Sequence, residues 1–146
     1  MKLYIDTSLL VALLTNEAAS ETAADWLRAV EGEALTVSDW VVAEFSSAVS
    51  LKVRTGQIDE GGRSAARRLL AGLLRDSLDV SAIVPIDFAA AGRFCDDASL
   101  GLRASDALHL AVAARSGASL CTLDRVQAQA GAALGLDVQH IIDDAT

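Results

Sequence analysis

Short β-prone runs alternate along the chain with longer segments of helical character, and this alternation limits the possible folds more than any other feature. The strand-like runs cover residues 2–5, 34–37, 80–86, 118–123 and 136–142. Strands that are joined through helices of ten or more residues pair in parallel, with right-handed crossovers. We therefore predict an α/β fold, a three-layer α/β/α sandwich with a central parallel sheet, in which ligands bind beyond the carboxyl ends of the strands.

Size and composition favour one folded domain that covers residues 1–146. Hydrophobic residues make up 52% of the chain and charged residues 22%, a balance typical of folded proteins. The N-terminus reaches Asp6 before a signal-peptide core forms, and the apolar run 9–14 is too short to span a bilayer. We therefore expect a soluble, cytoplasmic protein without membrane contact.

The net charge of −8 restricts the ways in which this chain can bind nucleic acid. An acidic protein repels the phosphate backbone at long range, so RNA or DNA would have to be held by a local basic patch and by metal. The charge therefore argues against a general nucleic-acid coat protein, but it is compatible with a nuclease.

Cysteine and tryptophan usage points to structural roles. Cys95 and Cys121 lack CxxC or Cys/His spacing, so we predict reduced thiols that act as small buried hydrophobes. Trp26 and Trp40 are predicted core or interface anchors. No GxGxxG or P-loop sequence follows the first strand, which argues against a nucleotide-binding domain.

Four separated carboxylates are the candidate functional residues. Asp6, Asp106 and Asp124 lie where a strand or turn ends and a helix begins, so each is also a candidate helix cap. Glu44 falls instead within the apolar stripe predicted for the helix 39–54, which includes positions 41, 45, 48 and 51 or 52. An unpaired carboxylate is costly to bury, so Glu44 needs a partner.

The expected topology brings these acids together at one edge of the sheet. If the first and fourth strands are neighbours, Asp6 and Asp124 leave adjacent strand ends. Two unit charges about 5 Å apart repel by roughly 3 kcal/mol at an effective dielectric constant of 20, so such a cluster needs a cation. Oxygen ligands without histidine or cysteine select Mg²⁺ or Mn²⁺, and such ions support phosphodiester hydrolysis by activating water.

Four short motifs follow one another along the chain, namely DTS at 6–8, Glu44, LRASDALHLA at 102–111 and TLDR at 122–125. Taken together and in this order, they resemble the PIN-domain nucleases, and most closely the VapC toxins of toxin–antitoxin pairs. The resemblance covers essentially the whole chain. It implies an RNA endonuclease that uses Mg²⁺ or Mn²⁺, usually a homodimer, silenced by a VapB-type antitoxin whose C-terminal segment occupies the acidic groove.

The same resemblance implies roles for individual residues. Asp6 would be the central metal ligand, Glu44 and Asp106 would complete the main site, and Asp124 would contribute directly or through water. Thr7 and Thr122 would orient waters or carboxylates through their hydroxyl groups. The implied catalytic and supporting residues are therefore Asp6, Glu44, Asp106, Asp124, Thr7 and Thr122.

Two residues near the acids carry weaker signals. Gln127 stands three positions after the last acid, where many members of the family have an aromatic residue, and this departure concerns local helix packing more than chemistry. His109 follows Asp106 by one helical turn, and we predict a packed or backbone-bonded imidazole, with substrate contact as the alternative.

Arginines supply the candidate contacts to phosphate or to a partner protein. Arg103 and Arg125 flank the acids and would either grip phosphate or balance charge. The main basic concentration lies on the predicted helix 59–77 and consists of Arg63, Arg67, Arg68 and Arg75. A solvated helix surface is the ordinary interpretation of this group, and RNA or antitoxin contact, above all by Arg63 and Arg67, is the alternative.

Two other functions remain open from sequence. One is a non-catalytic binding module whose acidic groove receives a basic peptide. The other is a phosphatase or phospho-acceptor receiver domain with Asp6 as the nucleophile. Such a phosphatase needs a second aspartate where Ser8 stands, and a receiver needs a lysine after a late strand, whereas the chain has only Lys2 and Lys52.

Overall fold

A five-stranded parallel sheet forms the centre of the computed structural model, which describes residues 1–142. The strands are β1 (Lys2–Ile5), β2 (Ala34–Ser38), β3 (Leu78–Ser81), β4 (Ser119–Thr122) and β5 (Val138–His140). They are arranged in the order β3-β2-β1-β4-β5, and every neighbouring pair is parallel. The strand order reverses between β1 and β4, so the predicted adjacency of the first and fourth strands is confirmed.

Helices cover the sheet and complete the predicted three-layer sandwich. They are α1 (Thr7–Leu14), α2 (Ser20–Ala29), α3 (Asp39–Arg54), α4 (Glu60–Asp76), α5 (Pro85–Asp96), α6 (Ala104–Arg115) and α7 (Arg125–Ala133), with a short 3₁₀ turn at Ala98–Leu100. Contacts divide them into two groups, α1 to α4 and α5 to α7. No helix in residues 1–142 is long and apolar enough to cross a membrane.

The central strands are apolar because both of their faces are covered. Leu3, Tyr4 and Ile5 in β1 are all buried, and Leu120 in β4 is equally inaccessible. A strand between two helical layers loses the alternation of apolar and polar residues that marks a half-exposed strand. The core therefore runs along β1 and β4 and ends at their carboxyl edge.

The prediction of a strand at 80–86 was wrong in its position. Strand β3 covers Leu78–Ser81, and α5 begins at Pro85, within the segment that was predicted to be a strand. Proline is favoured in the first turn of a helix because the missing N–H has no helical partner there. Asp87 stabilises this start by accepting a hydrogen bond from the Val84 N–H at 2.9 Å.

The apolar stripe of α3 also differs from the prediction at its C-terminal end. Val41 and Phe45 are buried as expected, but Leu51 is 50% exposed and the neighbouring Lys52 is buried instead. The Lys52 ammonium bonds Glu17 at 2.9 Å, so the ion pair allows a charged residue to occupy that position.

The tryptophans and cysteines occupy their predicted core positions only in part. Trp26 belongs to the core and Trp40 packs partly buried against it. Both thiols are free, with Cys121 buried and Cys95 only partly covered. Burial raises the pKa of Cys121 to about 12, so this thiol behaves as a small hydrophobe, as predicted.

Candidate active site at the carboxyl edge of the sheet

Asp6 and Asp124 lie at the same edge of the sheet because they follow the neighbouring strands β1 and β4. Ile5 is in register with Cys121, and the N–H of Asp6 donates to the Cys121 carbonyl at 3.2 Å. Asp6 thus leaves β1 beside the end of β4, and Asp124 follows that strand by two residues. Each of these aspartates is the N-cap of the next helix, α1 for Asp6 and α7 for Asp124.

Asp6 is a buried carboxylate surrounded by hydrogen-bond donors. Its Oδ1 accepts from the Leu9 N–H at 3.0 Å and from the Ser8 hydroxyl at 2.8 Å, while its Oδ2 accepts from the Thr122 hydroxyl. Only 3% of the residue is exposed. Burial raises the pKa of Asp6 despite these donors, so the ionised form lacks sufficient compensation within its surroundings.

Glu44 finds its partners on two other elements. Its Oε1 accepts from the Thr7 hydroxyl at 2.7 Å and lies 2.5 Å from Nε2 of His109. The other nitrogen of His109 is 2.8 Å from the Tyr4 hydroxyl, which in turn lies 2.7 Å from Oγ of Ser38. Burial opposes ionisation of Glu44, but the contacts from His109 and Thr7 outweigh it and lower the pKa of the carboxyl.

His109 therefore has a more specific environment than predicted. The imidazole is packed and buried, as expected, but its partners are the side chains of Tyr4 and Glu44. It connects a candidate metal ligand with the core of β1.

Asp106 lies in the first turn of α6 and faces the same edge. Burial raises the pKa of its carboxyl, and the negative charges of Asp124 and Glu44 raise it further. These contributions show that Asp124 and Glu44 lie close enough to Asp106 to influence its ionisation. The structure thus brings all four predicted acids to one region of the molecule.

Within residues 1–142, no lysine or arginine forms an ion pair with Asp6, Asp106 or Asp124, and Glu44 pairs with His109. In the same described range, no three aspartate, glutamate, histidine or cysteine side chains converge on a single point where they could hold an ion. Carboxylate oxygens are the ligands that a hard divalent cation prefers. In the arrangement described, however, Asp6 and Glu44 are bound to local partners that a cation would have to displace.

An open groove of about 480 Å³ lies beside the acids. The polar part of its wall is formed by Thr7, Ser8, Glu17 and Asp124, and apolar side chains form the remainder. The groove gives an extended ligand access to the carboxyl edge of β1 and β4.

The predicted basic residues take up different positions. Arg103 immediately precedes α6 and Arg125 begins α7, and both are exposed next to the helices that carry acids. On α4, Arg63 lies 2.7 Å from Glu60, whereas Arg67 is exposed and lines a shallow surface depression. Contact of these arginines with RNA or an antitoxin stays a prediction.

Ser8 and Gln127 belong to the site although neither was a candidate site residue. Ser8 donates to Asp6 and accepts from the Leu123 N–H at 3.2 Å, joining α1 to the end of β4. Gln127 is buried and bonds Thr122 and the backbone of Asp106. The available signal was the spacing of Gln127, three residues after a capping aspartate, where glutamine commonly completes a helix start.

The family model described as PIN domain matches residues 3–133. No curated protein matches the sequence significantly.

Solved structures with the same fold include proteins from three bacteria. VapBC2 from Rickettsia felis, bound to a DNA fragment from its promoter, aligns with a TM-score of 0.69 at 14% identity, over 96% of this chain and 98% of that one. VapC20 from Mycobacterium tuberculosis, a toxin that cleaves the sarcin-ricin loop, aligns with a TM-score of 0.68 at 22% identity, over 88% and 95%. VapBC-1 from nontypeable Haemophilus influenzae aligns with a TM-score of 0.64 at 17% identity, over 96% and 98%.

Proposed function

This chain belongs to the PIN domain family, and we propose that it is an endoribonuclease dependent on Mg²⁺ or Mn²⁺, the toxin of a VapBC-type toxin–antitoxin pair. The observation that carries the proposal is the group of four acids at the carboxyl edge of β1 and β4. Lysine and arginine form no ion pair with three of them within residues 1–142. A cation would stabilise such a concentration of negative charge.

In this proposal the four carboxylates hold the metal. Asp6 is the central ligand because it is the most buried of the four and lies at the end of β1. Glu44 and Asp106 complete the site, and Asp124 contributes directly or through water. The bound metal supplies an activated water and neutralises charge on the phosphate oxygens.

Two threonines orient these acids. The Thr122 hydroxyl donates to Asp6 and the Thr7 hydroxyl donates to Glu44 at 2.7 Å, so each hydroxyl limits the rotation of one carboxylate before a metal binds. Such partners favour metal binding because they hold the ligands close to their final positions.

The proposed substrate is RNA, bound along the open groove beside the acids. In this proposal Arg103 and Arg125 contact phosphate, which is supported by their exposure at the beginnings of α6 and α7. The proposed inhibitor is a VapB-type antitoxin that covers this groove, and Arg63 and Arg67 on α4 are its candidate contacts. The solved VapBC complexes of the same fold support this partner.

We also infer that the protein acts as a homodimer. Two large apolar side chains on α5 are exposed, Ile86 at 63% and Phe88 at 59%, next to the alanine-rich helix α6. Exposed apolar area of this kind is typical of an interface. Sedimentation of Phe88→Asp beside the unaltered protein tests this assignment.

The positions of the lysines argue against a receiver-like role. Lys2 begins β1, and its ammonium reaches the carbonyl of Ser116 beyond the C-terminus of α6. Lys52 is bound to Glu17 near the end of α3. Neither lysine bonds Asp6, and the chain has no other.

The decisive experiment measures cleavage of labelled tRNA, ribosomal RNA and messenger RNA by the purified protein with Mg²⁺ or Mn²⁺ and with EDTA. We expect cleavage only with metal, and we expect Asp6→Asn and Asp106→Asn to abolish it while circular dichroism stays unchanged. Asp79→Asn, which alters an exposed acid on β3, is the matched control and should cleave normally.

Two results would contradict the proposal. One is undiminished cleavage by a well-folded Asp6→Asn/Asp106→Asn double variant. The other is tight binding of a basic partner peptide without any metal dependence or turnover, which would assign the groove to a non-catalytic binding module.

A further inference from the structure

Gln127 connects three of the four acids, although it carries no charge and lies outside the predicted site. It is 1% exposed in the first turn of α7. Its Nε2 donates to the carbonyl of Asp106 at 3.1 Å, and its backbone N–H donates to Oδ1 of Asp124 at 3.1 Å. Its Oε1 lies 3.0 Å from the Thr122 hydroxyl, which is the partner of Asp6.

The Thr122 hydroxyl has too few hydrogens for the acceptors around it. It accepts from the Asp124 N–H at 2.9 Å, and its single hydrogen is shared between Oδ2 of Asp6 and Oε1 of Gln127. Turning the Gln127 amide over would place Oε1 against the carbonyl of Asp106, which is also an acceptor. The network is therefore one hydrogen short while Asp6 is ionised and has no cation.

A divalent cation on Asp6 would remove this shortage. A cation held by Asp6 would draw electron density from its carboxylate and weaken the hydrogen bond from Thr122, whose hydrogen could then turn to Gln127, and every polar atom of the network would have a partner. Without the amide, the same rotation would leave a fully buried hydroxyl with only the Ser8 oxygen, 3.5 Å away, as its acceptor. Unsatisfied buried donors are unfavourable, so cation binding would be weaker.

We propose that Gln127 is a positioning residue of the acidic site, which holds the main chain of Asp106 against α7 and takes over the Thr122 hydroxyl when a divalent cation binds Asp6. The proposal rests on the metal dependence put forward above. It assigns a role to a residue that contacts neither substrate nor metal.

The experiment titrates Mn²⁺ into the purified protein and follows the loss of the free-ion signal by electron paramagnetic resonance. Gln127→Met keeps the length of the side chain and removes both amide contacts, and we expect about a 10-fold weaker Mn²⁺ affinity, as for other outer partners of metal ligands. Gln129→Met is the matched control, because Gln129 is exposed on the same helix, and its affinity should equal that of the unaltered protein.

A double-variant cycle separates positioning from simple support of the fold. In a Thr122→Val background no hydroxyl remains to be transferred, so Gln127→Met should weaken Mn²⁺ binding by a clearly smaller factor than in the unaltered protein. Equal factors in both backgrounds would show that Gln127 does not act through Thr122. A lower melting temperature with unchanged Mn²⁺ affinity would also overturn the proposal, since it would show a structural role alone.

The controls distinguish this inference from the proposed function. If the unaltered protein binds no Mn²⁺, or Asp6→Asn binds it equally well, the proposed function fails. If the unaltered protein binds Mn²⁺, Asp6→Asn does not, and Gln127→Met binds normally, only the role of Gln127 fails. Gln127→Leu is the second apolar variant, and failure of both variants to fold would assign the amide to the core and overturn the proposal.

Discussion

Asp6 and Asp87 are both almost completely buried, but the fold treats them in opposite ways. Asp87, at the start of α5, receives two contacts from the Arg115 guanidinium, at 2.6 and 3.0 Å, and these contacts outweigh burial and lower its pKa. Asp6 has hydroxyl and backbone donors but no arginine or lysine, and burial raises its pKa. The structural acid is neutralised by the chain itself, whereas the acid at the sheet edge has no lysine or arginine partner among residues 1–142.

The largest expected difference between the two aspartates concerns cleavage. Asp6→Asn should lower the rate of RNA cleavage by about 100-fold or more, because it removes a proposed metal ligand and not merely an outer partner of one. Without metal, its melting temperature should equal or exceed that of the unaltered protein, since asparagine also caps helices and carries no buried charge. Cleavage assays and thermal unfolding in EDTA measure the two effects, and a large loss of stability would break the comparison.

The reverse pattern is expected for Asp87→Asn. Removing one partner of a buried ion pair leaves the other uncompensated, which destabilises proteins by about 3–5 kcal/mol when both are buried. The Arg115 side chain is 37% exposed, so we expect a smaller loss of about 2 kcal/mol in the free energy of unfolding. Urea denaturation measures this loss, and the folded fraction should still cleave RNA.

The pH dependence of stability sharpens the same contrast. The raised pKa of Asp6 means that the folded protein holds this proton more tightly than the unfolded chain, whose carboxyls titrate near about 3.9. The metal-free protein should therefore gain stability relative to Asp6→Asn as the pH falls from neutral through the raised pKa.

Asp87 should behave in the opposite sense. Because its folded pKa is lowered, its stabilisation is complete above the unfolded pKa and is lost only as the pH falls through the lowered value. Urea unfolding in EDTA at neutral and mildly acidic pH measures the difference in the free energy of unfolding between each variant and the unaltered protein. This difference should change with pH for Asp6→Asn and stay constant for Asp87→Asn. A constant difference for both would contradict the assigned directions.

The smallest effect on stability is expected at a third acid, Glu17. Glu17 binds Lys52 at 2.9 Å, but its side chain is 31% exposed, so solvent screens the pair. Glu17→Gln should lower the free energy of unfolding by about 0.5 kcal/mol, measured by urea denaturation. A loss of stability as large as that of Asp87→Asn would show that burial of the partner Lys52, and not burial of the acid, determines how much stability is lost.

The fold and the location of the acids were predictable because they depend on local patterns that repeat along the chain. Alternating strands and helices predicted the parallel sheet, and the residues after strands predicted where Asp6 and Asp124 lie. The error at β3 arose from Pro85, whose apolar neighbours resemble a strand but which begins α5. At that point a helix-start signal and a strand signal overlap, and the capping contact of Asp87 favours the helix.

The long-range partners of the acids could not be derived from local patterns, because they are distant in sequence, and Thr122 was expected only from the family resemblance. His109 reaches Glu44 across 65 positions and Thr122 reaches Asp6 across 116. No local periodicity reports such contacts.

The sequence by itself determined the parallel sandwich, its acidic sheet edge and the family to which the chain belongs. Only the tertiary structure decided which buried acid receives an arginine, and that Gln127 and Thr122 share one hydrogen with Asp6. The physical reason is that patterns of hydrophobicity and capping act within a few residues, whereas compensation of a buried charge depends on the groups that the fold brings beside it.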